Sequence, residues 1–388
     1  MNTALIFAYL DTIEDELVAL RRDFHQHPEV LFDVTRTAAK VADLLEQWGL
    51  EVQRHVGQHF GMGVIGVLRG KKDAKLNENL QKTIVLRADM DALPIHEQTD
   101  ASYKSLYDGF MHACGHDVHT TMLLGAAKAL SRYREEWAGT VKFVFQAAEE
   151  GARVSPLDGR LLSGGADLVE SGVLDDCGLC FGLHVWPELP IGTIGVHAQY
   201  AMAASTHFKV VFHGLTGHHS TPHLAADALL MASQFAIEMK VAMSSEIDPF
   251  EPAVLSFGTL KAGTVLNAIA DHSEITGSYR TFDQEVVDKI RGTIEKRAGA
   301  IAESYGGTCS FSFRMGTALK NDHSAAQLVL QAGAEVLGRE QSLLLEKPSL
   351  AGEDFALYVK RVPGAFAFIG VGNADRGIII PFTIPSSM

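Results

Sequence analysis

Four apolar, β-branched runs, at 63–68, 83–88, 141–147 and 179–185, recur along the first half of the chain, and the stretch between the second and third reads as a helix from about Thr120 to Tyr133. Strands spaced by helices predict an α/β fold with a mainly parallel, buried central sheet flanked by helices. Ligands of such sheets gather beyond the carboxyl ends of the strands. Three of these ends carry ionisable residues: Asp89 and Asp91 after the second run, Glu149 and Glu150 after the third, and His184 at the end of the fourth. Two helices precede the sheet. Ile13, Leu17, Leu20 and Phe24 recur at helical spacing, and a second helix runs from Thr35 through Val41, Leu45 and Trp48 to Gly49, which is placed to end it.

From Pro187 the pattern changes to strands at 193–198, 205–213, 253–260 and 272–282, with helices at 224–243 and 283–305. That set predicts a smaller inserted α+β unit. A strand at 309–314, a helix at 324–337 and a strand at 365–371 then resume the first pattern. The expected organisation is a catalytic domain of residues 1–187 and 307–388 interrupted by a second domain at 188–306. A chain of 388 residues is too long for one compact core and suits two. Residues 71–82 are polar and read as a solvated loop.

With 47 acidic against 33 basic residues the formal charge is −14, which argues against nucleic acid or an anionic membrane as a partner, since both need a cationic face. The apolar run at the N-terminus lacks a positive flank and is followed by Asp11, Glu14, Asp15 and Glu16, unlike a signal peptide or a span. A cytoplasmic location is expected. Four cysteines are too few for a disulfide scaffold, and Cys177 and Cys180 have no second Cys-x-x-Cys to complete a structural zinc site.

Residues 111–119 read Met-His-Ala-Cys-Gly-His-Asp-Val-His. Thiolate, imidazole and carboxylate are the ligands of zinc, manganese and cobalt-type ions, so this stretch, in a loop leading into a helix that begins near His119, predicts a metal site. Cys114 and His116 offer sulfur and nitrogen, and Glu150 and His184 add an oxygen and a nitrogen. Four ligands shared by two ions leave positions for water and substrate, the mark of a catalytic site. Adjacent side chains leaving a strand end point in different directions. If Glu150 binds metal, Glu149 is left to act as a general base. Asp89 and Asp91 are placed either to orient a histidine ligand or to cap the following turn. The stretch Gly217-His218-His219-Ser220-Thr221-Pro222-His223 joins glycine to histidines before a helix and is weak evidence alone.

Six segments taken together, His-Gln-His-Pro-Glu (25–29), Arg-Ala-Asp-Met-Asp-Ala-Leu-Pro (87–94), Met-His-Ala-Cys-Gly-His-Asp (111–117), Gln-Ala-Ala-Glu-Glu-Gly (146–151), Gly-Leu-His-Val-Trp-Pro (182–187) and Gly-Glu-Asp-Phe (352–355), resemble the hippurate hydrolase and N-acyl-amino-acid amidohydrolase branch of the aminoacylase/carboxypeptidase metallopeptidases. The order and spacing match from about residue 10 to 373. The resemblance implies a dinuclear metallohydrolase whose catalytic domain is interrupted by a lid or dimerisation domain. It puts the metal ligands on Cys114, His116, Glu150 and His184 and the catalytic glutamate on Glu149. His218 takes the position of a histidine that assists the oxyanion, often across a dimer interface, while Asn267 and Arg280 match positions that hold a substrate carboxylate. The chain departs from the family at its end: the resemblance implies a further histidine ligand after Asn373, and none follows His323.

The expected activity is cleavage of aromatic or aliphatic N-acyl amino acids to a carboxylic acid and a free amino acid, by a metal-activated water with Glu149 as base. The expected cofactors are two divalent cations per chain, zinc, manganese, cobalt or nickel, and the expected assembly is a homodimer or homotetramer. Two rivals stand beside this reading: a homologue that binds metal or conjugate without turnover, and a related dipeptidase or N-acetyl-diaminopimelate deacetylase.

Overall fold

A computed structural model of the chain describes residues 3–72, 83–376 and 378. Most of the expected 71–82 loop, and most of the segment after Asn373 for which the resemblance implies a further histidine, lie outside the described residues. The chain divides into two compact units: the first comprises Met1–Ala201, Lys320–Lys347 and Asp354–Met388, and the second Met202–Leu319 and Pro348–Glu353.

Among the described residues of the first unit, eight strands form one sheet. Its centre is parallel, as expected: Thr140–Gln146 pairs with Thr83–Asp89, which pairs with Cys177–Pro190, which pairs with Gly364–Gly372. Antiparallel strands finish both sides. Glu51–Val56 and Gly63–Arg69 lie beyond Thr140–Gln146. Ile194–His197 lies beyond Gly364–Gly372, with Ser342–Leu345 parallel to it at the outer edge. The helix Thr35–Gln47 ends at Gly49, whose φ of 77° is open to glycine without cost. Phe24, Val41, Leu45, Leu68, Leu124, Phe143 and Phe145 close the core, each fully buried side chain contributing roughly 1.5–3 kcal/mol relative to exposure. Thr3–Thr12 is a further helix, and no helix among the described residues is long and apolar enough to cross a membrane.

The second unit is a four-stranded antiparallel sheet with two helices, Ala228–Ser245 and Gln284–Ser304. Alternation along Ala204–His213 buries Ala204, Thr206, Phe208, Val210 and Phe212 on one face, where Met231, Phe235, Met239, Ile290 and Ile294 of the helices meet them. Asp227 and Asp283 begin the helices with side-chain caps.

Two strands fall on the other side of the division from where 188 and 306 would put them. Ile194–His197 follows Cys177–Pro190 through a tight turn, with Thr193 N–H donating to Pro190, so it stays in the large sheet. Thr308–Arg314 pairs residue for residue with Ala204–His213; its alternating Cys-Ser-Phe-Ser-Phe suits a sheet with one solvated face, and Cys309 and Phe313 pack on the second core.

Candidate metal centre

The strand end at Asp89 anchors the site. Asp89 Oδ2 accepts from Arg87 Nη1 at 2.7 Å and Oδ1 from His119 Nδ1 at 2.7 Å, while its carbonyl accepts from the Thr120 hydroxyl at 2.7 Å. Burial alone would raise this carboxyl; His116, Arg87 and His119 together hold it well below the usual range. Arg87 is fixed in turn by Gln146 and Asp354, and Asp354 also accepts from the Gly165 N–H at 2.7 Å. This buried polar scaffold under the site escaped the sequence reading, although Arg87 and Asp89 sit two apart on one face of a strand.

His119 is committed on both sides of its ring. The Val185 N–H donates to Nε2 at 2.9 Å, which leaves the proton on Nδ1 for Asp89. It therefore ties the end of the Thr83–Asp89 strand to the backbone beside His184. In His184 the Val185 carbonyl, 2.7 Å from Nδ1, fixes the proton there, and the lone pair of Nε2 faces Cys114 Sγ at 3.4 Å. Both imidazoles are buried, which pushes their pKa values down and favours the neutral form, in which His184 Nε2 keeps a lone pair.

His116 opens the helix His116–Arg132 instead of lying in the loop before it. The expected start near His119 is corrected by Gly115, whose φ of 83° turns the chain directly into the helix, its carbonyl accepting from Val118 and His119. Asp117 in the first turn suits the positive end of the helix, and it accepts from His25 Nδ1 at 2.8 Å and pairs with Arg21 Nε at 2.9 Å, which pins this entry to the helix Glu14–Gln26. Positions 116, 119 and 120 thus face the strand end together.

Asp91 links the acidic pair to this helix. Its two oxygens accept from the Glu149 and Glu150 backbone N–H groups at 3.0 and 3.2 Å, and Oδ1 lies 3.4 Å from His116 Nδ1. Of the two roles open to these aspartates, Asp91 sits against His116 and Asp89 orients His119. Ala148, buried with a φ of 50°, turns the chain sharply before the glutamates. Their carboxylates then approach His116: one oxygen of each and a ring nitrogen of His116 lie within 4.8 Å of one another.

Cys114, His116 and His184 form a second such group within 4.8 Å, so the four expected ligands converge on His116. His116 Nε2 is 3.8 Å from Glu150 Oε1. Both ring nitrogens of His116 and Glu150 Oε1 are buried without a hydrogen-bond partner. Ligand atoms at about 2.0–2.3 Å from a shared ion stand roughly 3.3–3.8 Å apart, which is the spacing seen here. Burial would lower His116, yet Asp89, Asp91 and Cys114 raise it well above the ordinary imidazole value, so the pocket favours positive charge at this ring. Burial, with Glu150 nearby, pushes the Cys114 thiol up. The donor set and its orphaned atoms fit divalent cations.

A family model described as peptidase family M20/M25/M40 matches residues 85–380. The chain belongs to that family. Thermostable carboxypeptidase 1 of Saccharolobus solfataricus is 33% identical over 372 residues, covering 95% of this M20 chain and 89% of the relative. N-acetylcysteine deacetylase of Bacillus subtilis is 35% identical over 373 residues, covering 95% and 91%. Among solved structures, a protein of methicillin resistant Staphylococcus aureus matches with a TM-score of 0.86 at 31% identity, covering 99% of this chain and 94% of that one. The Bacillus subtilis YXEP protein, a dinuclear metal binding peptidase from the M20 family, matches with a TM-score of 0.74 at 33% identity, covering 93% and 89%. The resemblance carried by the six motifs and the class of metal-dependent hydrolase are borne out.

The remaining expected residues belong to the second unit and fall into two groups. His218 bridges to Ala268, next to Asn267, and both side chains are exposed. The Ser220 N–H donates to His218 Nδ1 at 3.2 Å, so the neutral ring carries its proton on Nε2. Arg280 is elsewhere. It sits near the far end of His272–Thr281, eight residues and so roughly 27 Å along the strand from His272, beside which the 214–217 and 268–271 segments connect.

Proposed function

We propose that the chain hydrolyses the amide bond of N-acyl amino acids, with Cys114, His116, Glu150 and His184 holding a pair of divalent cations. The observation that carries this is the meeting of four donor groups at His116, where both ring nitrogens and Glu150 Oε1 are buried without a hydrogen bond. Mixed sulfur, nitrogen and oxygen donors suit zinc, manganese, cobalt or nickel. The cations would supply Lewis acidity, polarising the acyl carbonyl and making an attacking water more acidic.

The protein's own groups do the rest. Glu149, next to a ligand and held by Asp91, takes a proton from the attacking water onto its carboxylate. As the carbon–oxygen bond forms and the carbon–nitrogen bond breaks, the same carboxyl passes that proton to the leaving amine. His218, with its proton on Nε2, donates to the developing oxyanion. Asn267 and Arg280 receive the free carboxylate of the amino acid, the planar guanidinium pairing both oxygens. Relatives named N-acetylcysteine deacetylase, N-acyl-L-amino acid amidohydrolase and IAA-amino acid hydrolase support an N-acyl amino acid as substrate class.

The same reading includes a homodimer formed through the second unit. Arg280 lies at the opposite end of its sheet from His218 and Asn267, which supports their serving one substrate from two chains. The exposed Leu230, Ile237 and Val241, spaced along one side of Ala228–Ser245, support that helix as the contact surface.

Glu149→Gln tests the assignment. Metal content per chain is expected to stay at the wild-type level, while hydrolysis of N-benzoyl-glycine and N-acetyl amino acids falls about 10²–10⁴-fold. Undiminished turnover would overturn it.

A further inference from the structure

Arg280 has a companion that the proposed reaction does not use. Arg280 pairs across the ladder with Ser205, and Arg314 with His207, on the two strands that flank Ala204–His213. Because Ala204, Thr206 and Phe208 are buried toward the helices, Ser205 and His207 turn to the opposite face, and Arg280 and Arg314 share that face with them. Both arginines are half-buried. Among the described residues no carboxylate pairs with either, although acidic residues outnumber basic ones by 47 to 33. Glu274, the acid on this face, is engaged with Lys209 at 3.5 Å.

The two guanidinia and His207 sense one another. Burial and then the positive charge of Arg314 push the Arg280 guanidinium down, and burial followed by both guanidinia pushes His207 down. The cluster is also held in place. Arg280 Nη1 donates to the Leu350 carbonyl at 3.0 Å, and His207 Nε2 lies 3.3 Å from Ser205 Oγ. Gly352 lets this segment lie so close that a Cβ there would come within 2.5 Å of Ser205 Cβ and 3.8 Å of Arg280 Nη1. Like charges fixed together on a half-buried face lower their energy when an anion sits between them. One guanidinium already matches one carboxylate through two hydrogen bonds, so a neutral amino acid leaves Arg314 without a partner. The backbones of the two flanking strands are roughly 10 Å apart, a gap that two arginine side chains can close around both carboxylates of an aspartate or glutamate.

We propose that Arg314, with His207, extends the carboxylate-holding Arg280 into a site for a second acidic group, so that N-acyl derivatives of acidic amino acids are preferred over those of neutral ones. This rests on the reading of Arg280 given above. The test compares kcat/KM for N-acetyl-L-glutamate and N-acetyl-L-glutamine, which differ chiefly in charge, in the wild type, Arg314→Gln and Arg314→Lys. The wild type is expected to favour the glutamate derivative at least about tenfold, with the preference shrinking as salt is raised. Arg314→Gln brings the ratio toward one, and Arg314→Lys keeps part of it; should Arg314→Gln not fold, Arg314→Lys carries the comparison. A wild-type ratio near one, or a ratio that Arg314→Gln leaves intact, overturns the inference while the proposed amidohydrolase activity stands. If neither compound is cleaved, the proposed activity falls, and titration calorimetry of the same two compounds decides the inference: tighter binding of the glutamate derivative upholds it, and equal binding or none overturns it.

Discussion

The two units hold their chemistry in opposite ways. In the first, Asp89, His116, His119 and His184 are buried at strand ends or in the first turn of a helix, and committed hydrogen bonds set the protons of His119 and His184. In the second, His218 and Asn267 stand exposed on loops, and Arg280 and Arg314 lie on a sheet face. The difference follows from what each region receives. Donor atoms for a cation must be gathered and desolvated in advance, a cost the fold offsets with paired carboxylates and a tightly packed sheet. On the proposed reaction, the groups of the second unit meet a substrate arriving from water and so stand at a surface. Substitutions among the buried donors of the first unit and the groups that brace them should therefore disturb metal affinity and stability together, and those in the second should change turnover alone.

His218→Ala gives the largest effect expected in the second unit. Losing an oxyanion donor lowers kcat about 10²–10³-fold, while the melting midpoint and metal content hold, since the side chain is exposed. Mixing inactive His218→Ala with inactive Glu149→Gln sharpens the contrast. If His218 serves the partner's site, half of the reassorted dimers contain one intact site, and activity returns to about a quarter of wild type. No recovery on mixing places the histidine in its own chain's reaction, and a large fall in the melting midpoint of His218→Ala would break the division between the units.

The next effect belongs to the first unit. His119→Gln removes the tie between Asp89 and the Val185 N–H, so the backbone that carries His184 is held less firmly although His184 keeps its own bond to the Val185 carbonyl. Metal affinity, measured by chelator competition, is expected to fall about 10–100-fold. Thermal unfolding should show a loss of roughly 1–3 kcal/mol, because Asp89 and the Val185 N–H are left buried without that partner. Unchanged affinity with reduced stability would mean that His119 braces the sheet without serving the ligands.

Much of the first unit was legible in the sequence because burial and chemistry coincide there. Apolar runs marked the central strands, and the residues just past them were the ones that converge. Glu51–Val56 and Ser342–Leu345 were not foreseen: both are short edge strands, the first polar and largely exposed, the second only four residues long with three leucines in a row, too short a run to separate a strand from a helix turn. Thr308–Arg314 was recognised as a strand but assigned to the wrong sheet, since alternation fixes which face is buried and not which neighbour it pairs with. The buried network of Arg87, Gln146 and Asp354 is joined across sequence separations of 59 and 208 residues, and no local period reports that. Arg280 and Arg314 share a face only through the pairing of three strands, which hides their proximity in the same way.

Gly115 offers the finest test of how the first unit sets its ligands, in the difference of about 1 kcal/mol expected between two glycines. At a φ of 83° a Cβ would meet Val185 Cγ2 at 2.5 Å, so Gly115→Ala adds steric contact to conformational strain. Gly109, at a φ of 81° with nothing within 4 Å of its Cβ position, separates the two contributions. Gly109→Ala is expected to cost about 1–2 kcal/mol of unfolding free energy and leave metal affinity alone. Gly115→Ala should cost about 1 kcal/mol more and weaken metal binding, because Cys114 and His116 flank it and Val185 neighbours His184. Equal losses from both substitutions, with metal affinity unchanged, would show that close packing against Val185 does not position the ligands, and that the hydrogen bonds through His119 suffice.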